Sequence, residues 1–477
     1  MIIARVHIQH ADNYEDLKDH IPSEYLSDGL INQFKTILSN KIKAIYIEYP
    51  YIDKDYRSTY YAFYAKRHRS YDQFCFRLHF FTHVLEGESK FDVTFDAAQD
   101  RYLGSLVLRP TEVAPMGRTL LHPQAIHGFS GYICEAPFEN NILGAPFSVH
   151  TFPHTMQDSD VTVCAHAVCW MIARYYSEKY SVYPERLTYD IAEAVHDVSF
   201  GRNIPSRGLT LGQVSEILTS IGFYPEIFVK ELYQHNDFFY DILYSYIESG
   251  IPVVGAMRKK EHAIAIVGHG RLNNACDVIS SNNDQPFVST RCLVDSLVVH
   301  DDNRLPFKTI PWSEEDYGVS DIDAFVVPLY EKMYLNAENV LGLYPFLAQS
   351  PLLSLSEKQL ISRVYMTSSR SYKRGIRHDS KIPVDMRQSQ LELPMPKFIW
   401  VVELAAPEQY ALGLTDYRFI IDSTANQYEA HSFLFIHDKE KMIIHDRALT
   451  GQMFVYDFND TIEPYRLYTN NLQWREA

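Results

Sequence analysis

Hydrophobic and polar positions follow three different rhythms along the 477 residues, and the changes of rhythm divide the chain. From residue 1 to about 150, KAIYIEYPYI, STYYAFYAK, FCFRLHFFTH and YLGSLVLRP alternate with period two or run apolar between Pro, Gly and Asp. That pattern predicts strands. One helix is expected over Asp28 to Ser39, with Asp28 as its N-cap. GRTLLHP and the Pro- and Phe-rich ENNILGAPFSVHTFPH read as loops leading out of this α+β block. The 34 tyrosines suit strands, and a binding surface is the alternative.

Residues 151–332 change period. VTVCAHAVCWMIARYYSEKY, GLTLGQVSEILTSIGF and DFFYDILYSYIESG carry helical spacing, the last two closed by Gly222 and Gly250. IPVVGAM, EHAIAIVGHG and SLVVHDD then read as strands. Helices first and strands afterwards predict an α+β layer arrangement rather than a doubly wound sheet. In residues 333–477, SEKQLISRVYMTSSRSYKRGIRH reads as a basic helix, or helix plus tail. It carries Arg363, Arg370, Lys373, Arg374, Arg377 and His378, a solvated face or a contact surface for an acidic partner. PKFIWVVELA, YRFIIDST, EAHSFLFIHD, KMIIHD and QMFVYDF follow as short strands of a small sheet.

Composition narrows the class. Hydrophobic residues make up 46% and charged residues 22%, enough for sizeable cores and against wholesale disorder. A net charge of −16 and a pI near 5.7 count against wrapping nucleic acid or anionic lipid. No apolar run approaches the roughly 18 residues of a spanning helix, and the start MIIARVHIQHADNYED lacks a secretory h-region. A cytoplasmic location with no membrane partner is therefore expected. The six cysteines, at 75, 134, 164, 169, 276 and 292, form no CxxC pair and read as reduced.

One constellation in the middle block can do chemistry. Cys164 opens a helix, where unpaired N–H groups and the positive end of the dipole favour a thiolate. Ala167, Val168, Met171, Ile172 and Tyr175 share its face, and Cys169 points away into the second turn. A thiol nucleophile needs a base and something to orient it. His262 opens the strand HAIAIVG, and Asp301 closes SLVVHDD, with Asp302 as the alternative third member. The partner nitrogen of His262 for that carboxylate is expected to be Nδ1. His166 is either a supporting group or exposed. A metal site of His262, His269, His300 and Asp301 matches no common ligand spacing, and GHG at 268–270 is too short for a phosphate loop.

VCAHAVCWMIARYY, GLTLGQVSEILTSIGF, IESGIPVVGAM, HAIAIVGHG and LVVHDD, in that order, resemble the landmarks of bacterial double-glycine-leader (bacteriocin-processing) cysteine peptidases, which are papain-like. The resemblance covers about 170 of the 477 residues. It implies a papain-like fold for the central block, with Cys164 as nucleophile, His262 as base and Asp301 as orienting acid. It also implies Gln157 as an oxyanion donor beside the Cys164 N–H. The chain departs from the family at Cys164-Ala165-His166, where the family has Cys-Gly-Pro, and at Asp301-Asp302, where it has Asp-Pro. Gln157 lies one residue further from the cysteine than usual, so Asp158 stands in its place. The expectation is a cysteine hydrolase acting on a protein or peptide without metal or organic cofactor. Acyl transfer or deamidation on the same triad, and a non-catalytic papain-like scaffold, remain open.

Overall fold

The structure, a computed structural model, describes residues 1–85, 98–111, 114–158, 160–195, 208–280, 285–312, 317–351, 353–355, 359–426, 429, 431–448, 450–469 and 471–477. It is a mixed α+β arrangement built round three larger sheets. The first holds Ile2–His7, Ala44–Tyr51, Cys75–Phe81, Tyr102–Leu108 and Met116–Leu121 in sequence order, every neighbour antiparallel. Its central strands bury residue after residue, because helices and a further hairpin cover both faces.

Four local expectations in this block need correction. The first helix is Asp28–Ile37, and its N-cap is Ser27, whose hydroxyl accepts from the Leu30 N–H. STYYAFYAK is not a strand: Lys54–Ala62 is a helix started by Asp53, which accepts from the Tyr56 N–H. Tyr60, one turn on, and Tyr64, from the turn after the helix, both pack tilted against Tyr56, with centroids about 6 Å apart. GRTLLHP forms the strand Met116–Leu121. Most of the stretch read as a loop, 139–154, lies in a hairpin, Ala136–Ile142 on Ala145–Thr151, with inward and outward positions alternating along both strands. Its two-residue turn puts Leu143 and Gly144 both at positive φ, as a tight hairpin of native twist requires.

The middle of the chain supplies the helices Cys164–Lys179, Leu211–Ile221 and Asn236–Glu248, then a sheet. Its strand order runs Lys308–Pro311, Ser296–His300, His262–His269, Val253–Met257, Ala324–Val327, Glu226–Val229, all antiparallel. The Cys164–Lys179 helix is buried from Ala165 to Tyr176 and packs on the His262–His269 strand. Sequence-distant segments complete the sheets. Ser130–Ile133 pairs with both His262–His269 and Gln473–Glu476, and Phe287–Ser289 joins the third sheet in parallel.

The third sheet runs from Phe287–Ser289 through Leu360–Ser368, Phe398–Ala405, Tyr417–Asp422, Phe433–His437 and Lys441–Asp446 to Gln452–Asp457. The basic stretch is split. Leu360–Ser368 is a strand, and only Ser369–Arg377 is helical. Arg363 is therefore not on a solvated face. It is buried, donating to Glu248 at 2.8 Å and to Glu403 at 2.8 Å, while Arg418 holds the other side of Glu403 at 2.6 Å. His269 and Tyr244 also reach Glu248, at 3.1 and 2.9 Å. This buried network ties the middle sheet to the third one.

None of the helices among the described residues is long and apolar enough to cross a membrane.

Candidate active site

The loop before Cys164 is organised by Asp158. Its Oδ1 accepts from the N–H groups of Asp160, Val161 and Thr162, at 3.2, 2.8 and 2.7 Å. Such a nest of donors turns the backbone sharply, and the helix starts at Cys164 with Val163 as an extended N-cap. His166, third in the helix, accepts the Val163 N–H on Nδ1 at 3.3 Å, so it acts as half of a capping box. It is buried rather than exposed, and burial lowers its pKa to about 4. Cys164 itself is half-buried, whereas Cys169 lies wholly in the core.

Sheet register brings the other two groups together. His262–His269 and Ser296–His300 run antiparallel with Ala265 opposite His300, so the start of one strand lies beside the end of the other. His262 Nε2 meets Asp301 Oδ1 at 3.0 Å, and the Cys164 side chain beside the imidazole favours its charged form. The nitrogen facing the carboxylate is thus Nε2, not the expected Nδ1. With Nε2 taken by the carboxylate, Nδ1 is the nitrogen left for another partner.

Geometry also separates the adjacent carboxylates. Asp301 accepts from His262, from the Asn303 N–H at 3.0 Å and from the Tyr317 hydroxyl. Burial opposes its charge, but these donors hold its pKa well below the usual carboxylate range. Asp302 is fully buried, 3.8 Å from His262 Nε2, with neither oxygen hydrogen-bonded. Burial, with the Asp301 charge adding to it, pushes its pKa up to about 7. Two neighbouring carboxyls are driven apart, one firmly ionised and one half neutral at pH 7. For His262, burial disfavours the charge, yet the hydrogen bond to Asp301, the Cys164 side chain and both carboxylates raise its pKa to about 10.

Gln157 and Cys164 line one cleft of about 950 Å³, with His262 between the two walls. The Gln157 amide donates to Asn303 Oδ1 at 3.5 Å, a long bond, so it reaches the cleft but is shared with the Asp301 turn. Leu209, Leu211 and Val214 add an apolar lining, and Arg258 and Glu261 also line the cleft. Of the four residues considered for a metal, only His262 and Asp301 come together. His269 is committed to Glu248 at the other end of its strand, and His300 is buried among Phe152, His154 and Phe307. His262, Asp301 and Asp302 do bring donor atoms within 4.8 Å of one another. A divalent cation there would compete with the proton that Asp301 and Asp302 favour on His262.

Tyr317 and His154 had no signature in the sequence. Tyr317 follows Asp301 by sixteen positions and reaches it from a left-handed residue, φ 63°. His154 packs edge-to-face on His300 at 5.3 Å, wholly buried, and burial lowers its pKa to about 4. An unfolded histidine titrates near 6.5, so between pH 6.5 and 4 the unfolded chain binds a proton that the folded one refuses. Stability is expected to fall by roughly 3 kcal/mol through that window on account of His154 alone. His154→Leu should flatten the decline in urea-unfolding free energy between pH 6.5 and 4. An unchanged slope would mean that His154 takes up its proton in the folded state.

Compared with known proteins, the chain matches no family model, no curated protein and no solved structure.

Proposed function

We propose that this chain is a cysteine hydrolase, a peptidase acting on protein or peptide substrates, on a papain-like core. The observation that carries the reading is His262 bonded to Asp301 at 3.0 Å and lining one open cleft with Cys164, whose side chain favours the charged imidazole. A helix bearing the thiol at its N-terminus, followed by antiparallel strands bearing the base and the acid, supports the papain-like assignment.

In the proposed cycle the Cys164 sulfur, its proton already passed to His262, attacks the scissile carbonyl carbon. The tetrahedral oxyanion is met by the Cys164 N–H at the open end of the helix, joined by the Gln157 amide when it leaves Asn303. Collapse breaks the C–N bond, and His262 returns the proton to the leaving amine. Water then attacks the thioester, giving its proton to His262, and the sulfur is released as the thiolate. Asp301 holds the imidazole and stabilises its charged form throughout. The apolar wall at Leu209, Leu211 and Val214 fits a hydrophobic side chain of the substrate.

Incubating a peptide library of whole-proteome digests with the wild type and with Cys164→Ser tests the proposal. New peptide termini are expected with the wild type and none with the variant, because the hydroxyl is a far weaker nucleophile beside the same imidazole. Equal sets of termini from both proteins would refute it.

A further inference from the structure

We propose that a pocket on the third sheet, far from the cysteine in sequence, binds a small phosphorylated molecule. The pocket holds about 570 Å³ and lies between the Ser369–Arg377 helix, the following 378–381 turn, residues 466–469 and Asn471. That volume suits a ligand of metabolite size.

The lining is cationic. Arg374, Lys381 and Arg466 face the space together with His378, and the one carboxylate among them is Asp379. Asp379 spends Oδ1 on the N–H of Lys381 at 3.0 Å, so it steadies the turn. Among the described residues, none of the three cations is in an ion pair, although the chain as a whole carries a charge of −16. Nearby basic side chains have their own work: Lys373 donates to the Leu391 and Leu393 carbonyls at 2.9 and 2.7 Å, and buried Arg418 holds Glu403 at 2.6 Å. Unpaired positive charge has been gathered into a concave site while its neighbours are engaged elsewhere.

The site is also shaped. A methyl group on Gly375 would lie 2.7 Å from a ring carbon of Tyr468. Only glycine lets that ring close the pocket against the helix, and the ring is fixed by parallel stacking on Tyr365. Ser380 and Thr469 add hydroxyl donors to the lining. Three cations against one carboxylate leave an excess that a single carboxylate ligand would not balance. A phosphate monoester, with a charge of about −1.5 to −2 and three acceptor oxygens, does. Arginine forks at two sides favour that geometry.

The test uses the full chain at low salt, with inorganic pyrophosphate and adenosine monophosphate as probes in isothermal titration calorimetry. The comparison protein is Arg374→Ala/Lys381→Ala/Arg466→Ala, whose altered side chains are all exposed, and whose ligand-free melting temperature should match the wild type. Saturable binding of at least one probe is expected, weakened tenfold or more in the triple variant. A single charge reversal, Arg374→Glu, should weaken it as well. No saturable heat with either probe, or equal affinity in wild type and triple variant, would overturn the proposal. So would displacement of both probes by a single-stranded oligonucleotide that binds the wild type far more tightly, since the surface would then be a polyanion groove.

Discussion

Replacing His262 by alanine is expected to lower peptide turnover by about three to four orders of magnitude, the usual scale for losing an essential proton-transfer group. The site geometry predicts a graded series beneath that. Asp301 contributes one oxygen to His262 Nε2 at 3.0 Å, so Asp301→Asn can offer a carbonyl oxygen to the same N–H and keep the ring in place. It loses the charge that favours the imidazolium, which should cost roughly tenfold to a hundredfold. Asp301→Ala loses orientation too and should fall below Asp301→Asn. Asp302→Asn should stay within a few-fold of wild type, because Asp302 makes no hydrogen bond to the ring and is already half neutral at pH 7. Steady-state turnover with one peptide from the library checks the order. An Asp302 variant as impaired as Asp301→Ala would exchange the roles of the two carboxylates.

The second large effect concerns stability. Arg363→Met should destabilise the protein by about 3–5 kcal/mol, read as a lower urea midpoint by tryptophan fluorescence. The guanidinium bridges Glu248 and Glu403, both almost wholly buried, and also donates to the Tyr468 carbonyl at 2.7 Å. Removing it strands two carboxylates in a low dielectric, and that cost exceeds the worth of the pair itself. Glu403 retains Arg418 and the Tyr468 N–H, so the uncompensated charge falls mainly on Glu248. Adding Glu248→Gln to Arg363→Met should therefore recover part of the loss. A double variant no more stable than the single one would show that the network is dispensable to the packing around it.

Arg363 also shows where sequence reading stops. LISRVYMTSSRSYKRGIRH has enough positive charge to look like one amphipathic helix, yet its first half is a strand whose arginine is neutralised by glutamates 115 and 40 positions away. No local pattern announces such distant partners. STYYAFYAK failed for a different reason. Tyrosines favour strands on average, but Asp53 as N-cap and the spacing of four between Tyr56 and Tyr60 were helix signals in plain view. In the 136–151 hairpin, Pro and Asn masked a clean alternation around the Leu143-Gly144 turn. The strands that join distant sheets, Ser130–Ile133, Phe287–Ser289 and Gln473–Glu476, are short and non-local, so periodicity could not place them.

The site was more legible than the flanks. A cysteine opening a helix, a histidine opening a strand and an aspartate closing the next one are terminal positions, and element ends are where antiparallel register converges. What stayed hidden were groups delivered by loops: Tyr317 on Asp301, Asn303 on Gln157, and the nitrogen by which His262 meets its acid. Those depend on backbone turns and ring orientation, for which hydrophobic spacing carries no information.

The central claim is that His262 activates Cys164, and limiting iodoacetamide at pH 6 tests it directly. An ordinary thiol near pKa 8.5 is almost wholly protonated at that pH and reacts slowly. Peptide mass spectrometry of the wild type should find Cys164 carboxamidomethylated well ahead of the other five cysteines, and His262→Ala should remove that lead. Modification of Cys164 at the pace of Cys276 and Cys292, the other partly exposed thiols, would contradict the account.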